Sequence, residues 1–282
     1  MQELDDDRLD RHGVRVFLKR DDLIHREIPG NKWRKLKYNL AAAAHEGHDT
    51  LLTFGGAYSN HIRATAAAGH YFGFSTIGVI RGEEHRPLNP TLAYAVSRGM
   101  HLEYLDRTSY RHKHETDIIE TMQHRFGRFY LLPEGGSNPL ALRGCAELCT
   151  EIVIDFDIIC CACGTGGTLA GIAAALTQSR TALGFSVLKG GGFLYEQIRQ
   201  LQLDYGTTTT NWSLELGYHF GGFARRTSVL DRFITDFADR HGIDLDWIYV
   251  AKMVYGLFAM IESGAFRPGT VIVAVITGPA IP

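Results

Sequence analysis

The sequence predicts an α/β protein: a mostly parallel sheet with helices on both faces. Three observations carry this reading. Short β-branched runs alternate with longer segments of helical period along the whole chain. Glycine-rich turns at 55–56 and 164–168 join a strand directly to a helix. The 282 residues, 45% of them hydrophobic, can fill a core of the size such layers need.

The elements follow in order. Residues 14–18 form a first strand. Residues 31–44 form a helix, with Trp33, Leu36, Leu40 and Ala43 on one face. A strand at 49–54 leads into Gly55-Gly56, and a helix at 60–71 ends at Gly73. After a strand at 75–80, Asn89-Pro90 supplies a cap and a first-turn proline, and Gly99 closes that helix. Strands at 101–105 and 129–132 flank one polar helix. A helix at 140–153 precedes a buried strand at 157–162, the 164–168 loop and an alanine-rich helix. A strand at 183–187, helices at 227–241 and 252–263 and a strand at 270–276 complete the chain. No repeat of fixed period is present. The segment PEGGSNP, Pro133 to Pro139, is the expected crossing between two lobes.

Composition excludes several classes. Charged residues at 21% and aromatic residues at 11% rule out a disordered chain. Lys and Arg number 29 against 31 Asp and Glu, so no nucleic-acid partner is expected. No apolar run approaches the ~20 residues that span a bilayer, so no membrane partner is expected. The opening MQELDDDRLD has no basic or apolar leader pattern, so no secretory signal is expected. The cysteines are 145, 149, 160, 161 and 163, an odd and clustered set that makes no disulfide framework; a reduced, cytoplasmic setting is expected.

Three loops are candidates for chemistry. In Gly164-Thr165-Gly166-Gly167-Thr168, glycines admit an anion to the backbone, and helix N-terminal N–H groups with threonine hydroxyls donate to phosphate. The same residues also suit a tight turn with no ligand. Leu169 and the lack of a downstream acid argue against a dinucleotide, and the lack of Gly-Lys-Ser/Thr argues against a nucleotide triphosphate. In Gly30-Asn31-Lys32-Trp33-Arg34-Lys35, a lysine in the first helical turn is opposed by the helix dipole, which favours the neutral amine that carbonyl chemistry needs. From spacing alone a solvated basic helix start is the commoner reading. In Gly55-Gly56-Ala57-Tyr58-Ser59-Asn60-His61, Ser59 and Asn60 either meet an anion or cap a helix, and His61 is a candidate wall residue. Three loops at strand C-terminal ends converge on one crevice in a doubly wound sheet.

At these residues the sequence resembles the pyridoxal-phosphate-dependent 1-aminocyclopropane-1-carboxylate deaminase and D-cysteine desulfhydrase family. The matching stretches are LKRDDLIHREIPGNKWRKLKYNL, TFGGAYSNHIRATAAAG, LPEGGSNPLALRG, CGTGGTLAG, YHFGGFARRT and DWIYVAKMVYGLF. The resemblance implies the two-domain, tryptophan-synthase β-like fold (fold type II), each domain an open, mostly parallel sheet with flanking helices. It implies a larger cofactor domain of residues 1–40 and 135–282, and a smaller domain, 41–134, carrying the Ser-Asn loop. It implies that Lys32 bonds pyridoxal 5'-phosphate as a Schiff base and that Gly164, Thr165, Gly166, Gly167 and Thr168 hold the phosphate. Asn60 would meet the ring hydroxyl and Thr277 the ring nitrogen. Ser59 would hold the substrate carboxylate or assist proton transfer, Tyr249 matches an active-site tyrosine, and Tyr218 and Phe223 match an aromatic loop over the site. Ser59, Asn60, His61 and Tyr218 would face a small amino-acid substrate, and the family habit is a homodimer.

The chain departs from the family at Val250, where ring-opening members carry Glu and desulfhydrases usually carry Thr, at Pro279 in place of a glycine, and at Phe223 in place of a common tyrosine. D-cysteine desulfhydration to pyruvate, sulfide and ammonia is therefore the expected activity. Ring-opening deamination to 2-oxobutanoate and ammonia is the alternative, and a non-catalytic cofactor binder is the alternative of another class. No metal is expected: Cys160 and Cys161 point to opposite faces of a strand, and His45-Glu46-Gly47-His48 lacks the metal spacing. His112 and His114 read as solvated surface.

Overall fold

The structure is a computed structural model and describes residues 1–278. The chain opens with β1 (Gln2–Glu3), α1 (Asp7–Asp10), β2 (Arg15–Arg20) and α2 (Asn31–His45). Then come β3 (Thr50–Gly55), α3 (Asn60–Phe72), β4 (Ser75–Arg81), α4 (Pro90–Ser97) and β5 (His101–Leu105). The short α5 (Arg107–Arg111) and α6 (Thr116–Phe126) lead to β6 (Tyr130–Leu132) and α7 (Pro139–Thr150). The last part holds β7 (Ile158–Cys163), α8 (Gly167–Ala175), β8 (Thr181–Ser186), α9 (Leu194–Asp204) and β9 (Trp212–Glu215). It ends with α10 (Ser228–His241), α11 (Val250–Glu262) and β10 (Val271–Ile276).

The strands form two sheets. The larger has the order β1-β2-β10-β7-β8-β9, the smaller β5-β4-β3-β6. Every pairing is parallel except the short β1 against β2. Helices cover both faces of the larger sheet, so its central strands β7 and β10 read as unbroken apolar runs. In β10, Ile272, Ala274 and Ile276 face the cluster built with α10 and α11, while Val273 and Val275 face the one built with α7, α8 and α9. Cys160 falls in the first cluster and Cys161 and Cys163 in the second. Among the described residues no group of His, Cys, Asp and Glu side chains is placed to hold a metal ion.

The smaller sheet packs against α2, α3, α4 and α6. The helix α2 is unbroken across residue 40: Leu36, Leu40 and Ala43 join the smaller sheet's core with Leu51, Ala64 and Leu132. Its opposite side lies so close to α7 that a Cβ on Gly144 would stand 1.9 Å from the Arg34 carbonyl oxygen. The PEGGSNP segment carries the chain from β6 into α7 through a 3₁₀ turn, with Gly135 and Gly136 both at positive φ, and Asn138 caps α7 by accepting from Ala141 N.

The caps behave as the sequence indicates. Asn89 accepts from Leu92 N at the start of α4, and Gly73 closes α3 in the left-handed region. The expected single helix between 105 and 129 is instead two, because α5 ends at Arg111 and Glu115 N turns back to His112 O. Four elements are absent from the sequence reading: β1, α1, α9 and β9, although Leu194, Ile198 and Leu201 give α9 a helical spacing. The strand β9 pairs only at the sheet edge, where burial imposes little alternation. Pro279 lies outside the described residues.

Candidate active site

Strand ends of both sheets meet at one cavity of roughly 350 Å³. The ends of β7 and β10 supply Gly164 and Thr277, and the ends of β3 and β4 supply Gly56 and Arg81. Lys32, Ser59, Asn60, His61, Thr165, Gly166, Thr168 and Tyr249 also line it. The structure thus brings together nearly every residue singled out from the sequence. Gly167 lies one residue behind the wall. Tyr218 is not in the wall: its ring packs on Phe185 and Tyr255, and Gly256 is small because a Cβ there would meet the Tyr218 ring at 2.8 Å.

The start of α2 is pressed onto the end of β10. Gly30 has φ +54, and a Cβ on it would lie 2.1 Å from the Thr277 carbonyl oxygen. This contact brings the first turn of α2, with Lys32, into the same cavity wall as Thr277. Burial of the amine, reinforced by the charge of Lys35, pushes Lys32 down to about 7; Cys145 and Asp246 oppose this weakly. Burial thus sets this lysine apart from a solvated basic helix start and brings its amine near neutrality.

Lys35, one turn on, also lines the cavity and is buried. Its Nζ donates to Gly135 O at 3.1 Å and to Ser137 Oγ at 3.0 Å. Ser137 Oγ is 2.7 Å from Thr165 Oγ1, and Asn31 Nδ2 donates to Thr168 Oγ1 at 3.0 Å. These bonds tie the 164–168 loop to α2. Gly166 stands at φ +74 as the N-cap of α8, and no side chain caps that helix. A Cβ on Gly167 would lie 2.5 Å from Ser137 Oγ and 3.0 Å from Lys35 Nζ. An uncapped N-terminus beside a buried ammonium is a cradle for an anion.

Ser59 is both a wall residue and the N-cap of α3, accepting from His61 N at 3.2 Å and Ile62 N at 3.3 Å. Asn60 Oδ1 is buried with no partner, as is His61 Nδ1. His61 Nε2 meets Thr53 Oγ1 at 2.9 Å, and burial, with the nearby Lys32 and Lys35 charges, holds the ring well below the ordinary histidine range. It is a neutral imidazole. Tyr249 packs its ring on Gly164 and takes the edge of Phe223, with centroids 5.9 Å apart. Burial raises its hydroxyl.

Sequence reasoning passed over Lys35, Arg81, Glu134 and Asp246 as wall residues. The three-residue spacing from Lys32 to Lys35, one helical face, was a usable signal for the first. Asp246 is buried, and its carboxylate accepts from the N–H groups of Ile248, Tyr249 and Val250, which fixes Tyr249 at the helix start. Burial pushes it up to about 6 against those donors. Val250 points away from the cavity into the core of the larger sheet.

Pyridoxal phosphate fits these residues. The 164–168 loop with Lys35 would hold its phosphate, an amine held near neutrality would meet its aldehyde, and the orphaned Asn60 Oδ1 would offer an acceptor to the ring hydroxyl. The fit agrees with what the chain resembles. Residues 4–278 match the family described as pyridoxal-phosphate dependent enzyme. The Arabidopsis thaliana bifunctional D-cysteine desulfhydrase/1-aminocyclopropane-1-carboxylate deaminase is 30% identical over 272 residues, covering 87% of this chain and 67% of that protein. The D-cysteine desulfhydrase of Klebsiella pneumoniae is 28% identical over 293 residues, covering 96% of this chain and 88% of that protein. The crystal structure of an ACC deaminase homologue superposes with a TM-score of 0.81 at 29% identity, covering 96% of this chain and 86% of the other. A match that runs through both sheets and every loop of the cavity leaves one assignment: the chain belongs to the fold-type II pyridoxal-phosphate-dependent enzymes.

Proposed function

We propose that this lyase or deaminase acts on a small amino acid, with D-cysteine as first substrate. D-cysteine and water would give pyruvate, sulfide and ammonia. The observation that carries the reading is the buried Lys32 amine, facing the Ser59–Asn60 loop across one cavity. The cofactor, when bound, supplies an electron sink for the charge left at the substrate Cα. Lys32 Nζ, near neutrality, takes or returns the proton at Cα. The Ser59 hydroxyl and the N-terminus of α3 hold the substrate carboxylate. Lys35 and the 164–168 loop would hold the phosphate, Asn60 and Thr277 would hold the ring, and Tyr249 with Phe223 would shield the site from water.

Desulfhydration is preferred over ring opening for a reason of chemistry. Val250 places no carboxylate at the start of α11. The acids in the cavity wall, among the described residues, are Glu134 and Asp246, and both are engaged: Glu134 by Tyr110 and Lys113, Asp246 by three backbone donors. The test is the visible spectrum of the purified protein before and after D-cysteine, with product assays alongside. A shifted band with pyruvate and sulfide supports the reading. Formation of 2-oxobutanoate from 1-aminocyclopropane-1-carboxylate, with D-cysteine inert, transfers the assignment to ring opening. A band that no amino acid disturbs marks a cofactor binder without turnover.

The same reading places the protein in the cytoplasm as a homodimer. The cysteines are all free, which suits a reducing compartment. Leu23, Ile24, Tyr71 and Phe72 are exposed, with Phe72 stacked on Trp33, an apolar face suited to a second copy. No helix among the described residues is long and apolar enough to cross a membrane.

A further inference from the structure

The cavity wall holds one cation that the cofactor does not account for. Arg81 ends β4, and Gly55 of β3 stands opposite Ile80, so Arg81 flanks the loop running from Gly56 to Ser59. Its side chain is exposed at the mouth. Among the described residues it makes no ion pair, and the nearest ring, Tyr110, is 6.0 Å away, at the limit of a cation–π contact. The acids that could neutralise it are taken. Glu134 Oε1 accepts from Tyr110 Oη at 2.9 Å, and Oε2 pairs with Lys113 Nζ at 3.2 Å. Asp246 is turned into the backbone of residues 248–250. Lys32 and Lys35 lie deeper, beside the glycine loop.

We propose that Arg81 recognises an acidic group on the substrate's leaving group, so that beside D-cysteine the site takes β-substituted D-amino acids whose sulfur carries an acid-bearing chain and favours them over their neutral isosteres. The inference rests on the lyase reading above. A guanidinium at the mouth meets what projects from the β-carbon toward solvent, while the α-carboxylate stays with Ser59 and α3. Its planar fork matches carboxylate or sulfonate with two parallel bonds. For S-carboxymethyl-D-cysteine the Cβ–S bond breaks and mercaptoacetate leaves with the bonding pair. Water supplies the oxygen of pyruvate, and ammonia is released.

The experiment compares S-carboxymethyl-D-cysteine with its neutral isostere S-carboxamidomethyl-D-cysteine, in the holoenzyme and in Arg81→Gln. Both kcat/KM and calorimetric Kd are measured. The acid should be favoured over the amide by roughly 10- to 100-fold in the parent, the range of a charge-assisted pair. Arg81→Gln should bring that ratio to about one. Equal handling of acid and amide by the parent overturns the proposal. So does a preference that survives in Arg81→Gln, which includes the case where both substrates weaken together because Arg81 serves the α-carboxylate. The sulfonate analogue, S-sulfoethyl-D-cysteine, distinguishes the two acids in the same assay. If neither substrate nor D-cysteine is turned over, the lyase reading fails, and the acid-to-amide binding ratio alone still decides the role of Arg81.

Discussion

The proposed capture of the cofactor aldehyde by Lys32 gives a direct test of how burial tunes this site. Only the neutral amine attacks a carbonyl. Lys32 is held at about 7 against an ordinary 10.5. At pH 7 about half of it is free base, where an exposed lysine offers on the order of one molecule in three thousand. The cofactor-free protein and an exposed-lysine peptide are mixed with pyridoxal phosphate from pH 5.5 to 9.5, trapped with borohydride, and the Lys32 peptide is quantified by mass. The ratio of the two rates cancels the titration of the reagent. It should be flat below pH 7 and fall about tenfold per unit above it. A ratio that stays flat to pH 9.5 would refute the buried-amine argument. Stability carries the matching sign. The folded value is depressed, so the Lys32 contribution is present above pH 10.5 and is lost as pH falls through 7. Lys32→Met should therefore gain stability relative to the parent at pH 6 and not at pH 10. The gain is a few kcal/mol at most: the amine end is enclosed, but the residue as a whole keeps some solvent contact, which screens part of the charge.

Lys35→Met removes the ammonium from Gly135 O and Ser137 Oγ, and cofactor affinity by equilibrium dialysis should fall roughly 10- to 100-fold. Unchanged affinity would remove Lys35 from the anion cradle. Ser59→Ala should cost about 1 kcal/mol through the lost α3 cap and also collapse turnover, whereas Ser59→Asn should restore the melting temperature without the activity. Recovery of turnover in the Asn variant would mean that Ser59 acts only as a cap. Lys252 donates to His219 O at 3.0 Å and Gly222 O at 2.7 Å, latching the loop that carries Phe223. Lys252→Met should speed limited proteolysis between residues 217 and 226 and raise KM; a loop that cuts no faster would show that other contacts hold it.

Local signals were legible where a few neighbouring residues decide. Asn89-Pro90, Ser59 and Gly73 set helix ends through bonds that span four residues or fewer, and the structure shows each in place. The 164–168 turn needs glycine at Gly166 because φ is positive there and Ile198 lies 2.5 Å from any Cβ. The break between α5 and α6, and the edge strand β9, escaped because neither is enforced by a buried face. The family resemblance places Tyr218 over the site, whereas its ring packs on Phe185 and Tyr255 at the edge of the core, outside the cavity wall.

The sequence by itself determined the α/β alternation, the helix caps, the glycine loops and, through its combined motifs, the family. The tertiary structure alone decided that the Lys32 amine is near neutral, that Val250 faces the core, that Glu134 is spent on Lys113 and Tyr110, and that Arg81 is left unmatched. The physical reason is range. Periodicity and capping act between residues a turn apart, whereas desolvation and charge pairing depend on which distant segments the fold presses together, as it presses Gly30 onto Thr277.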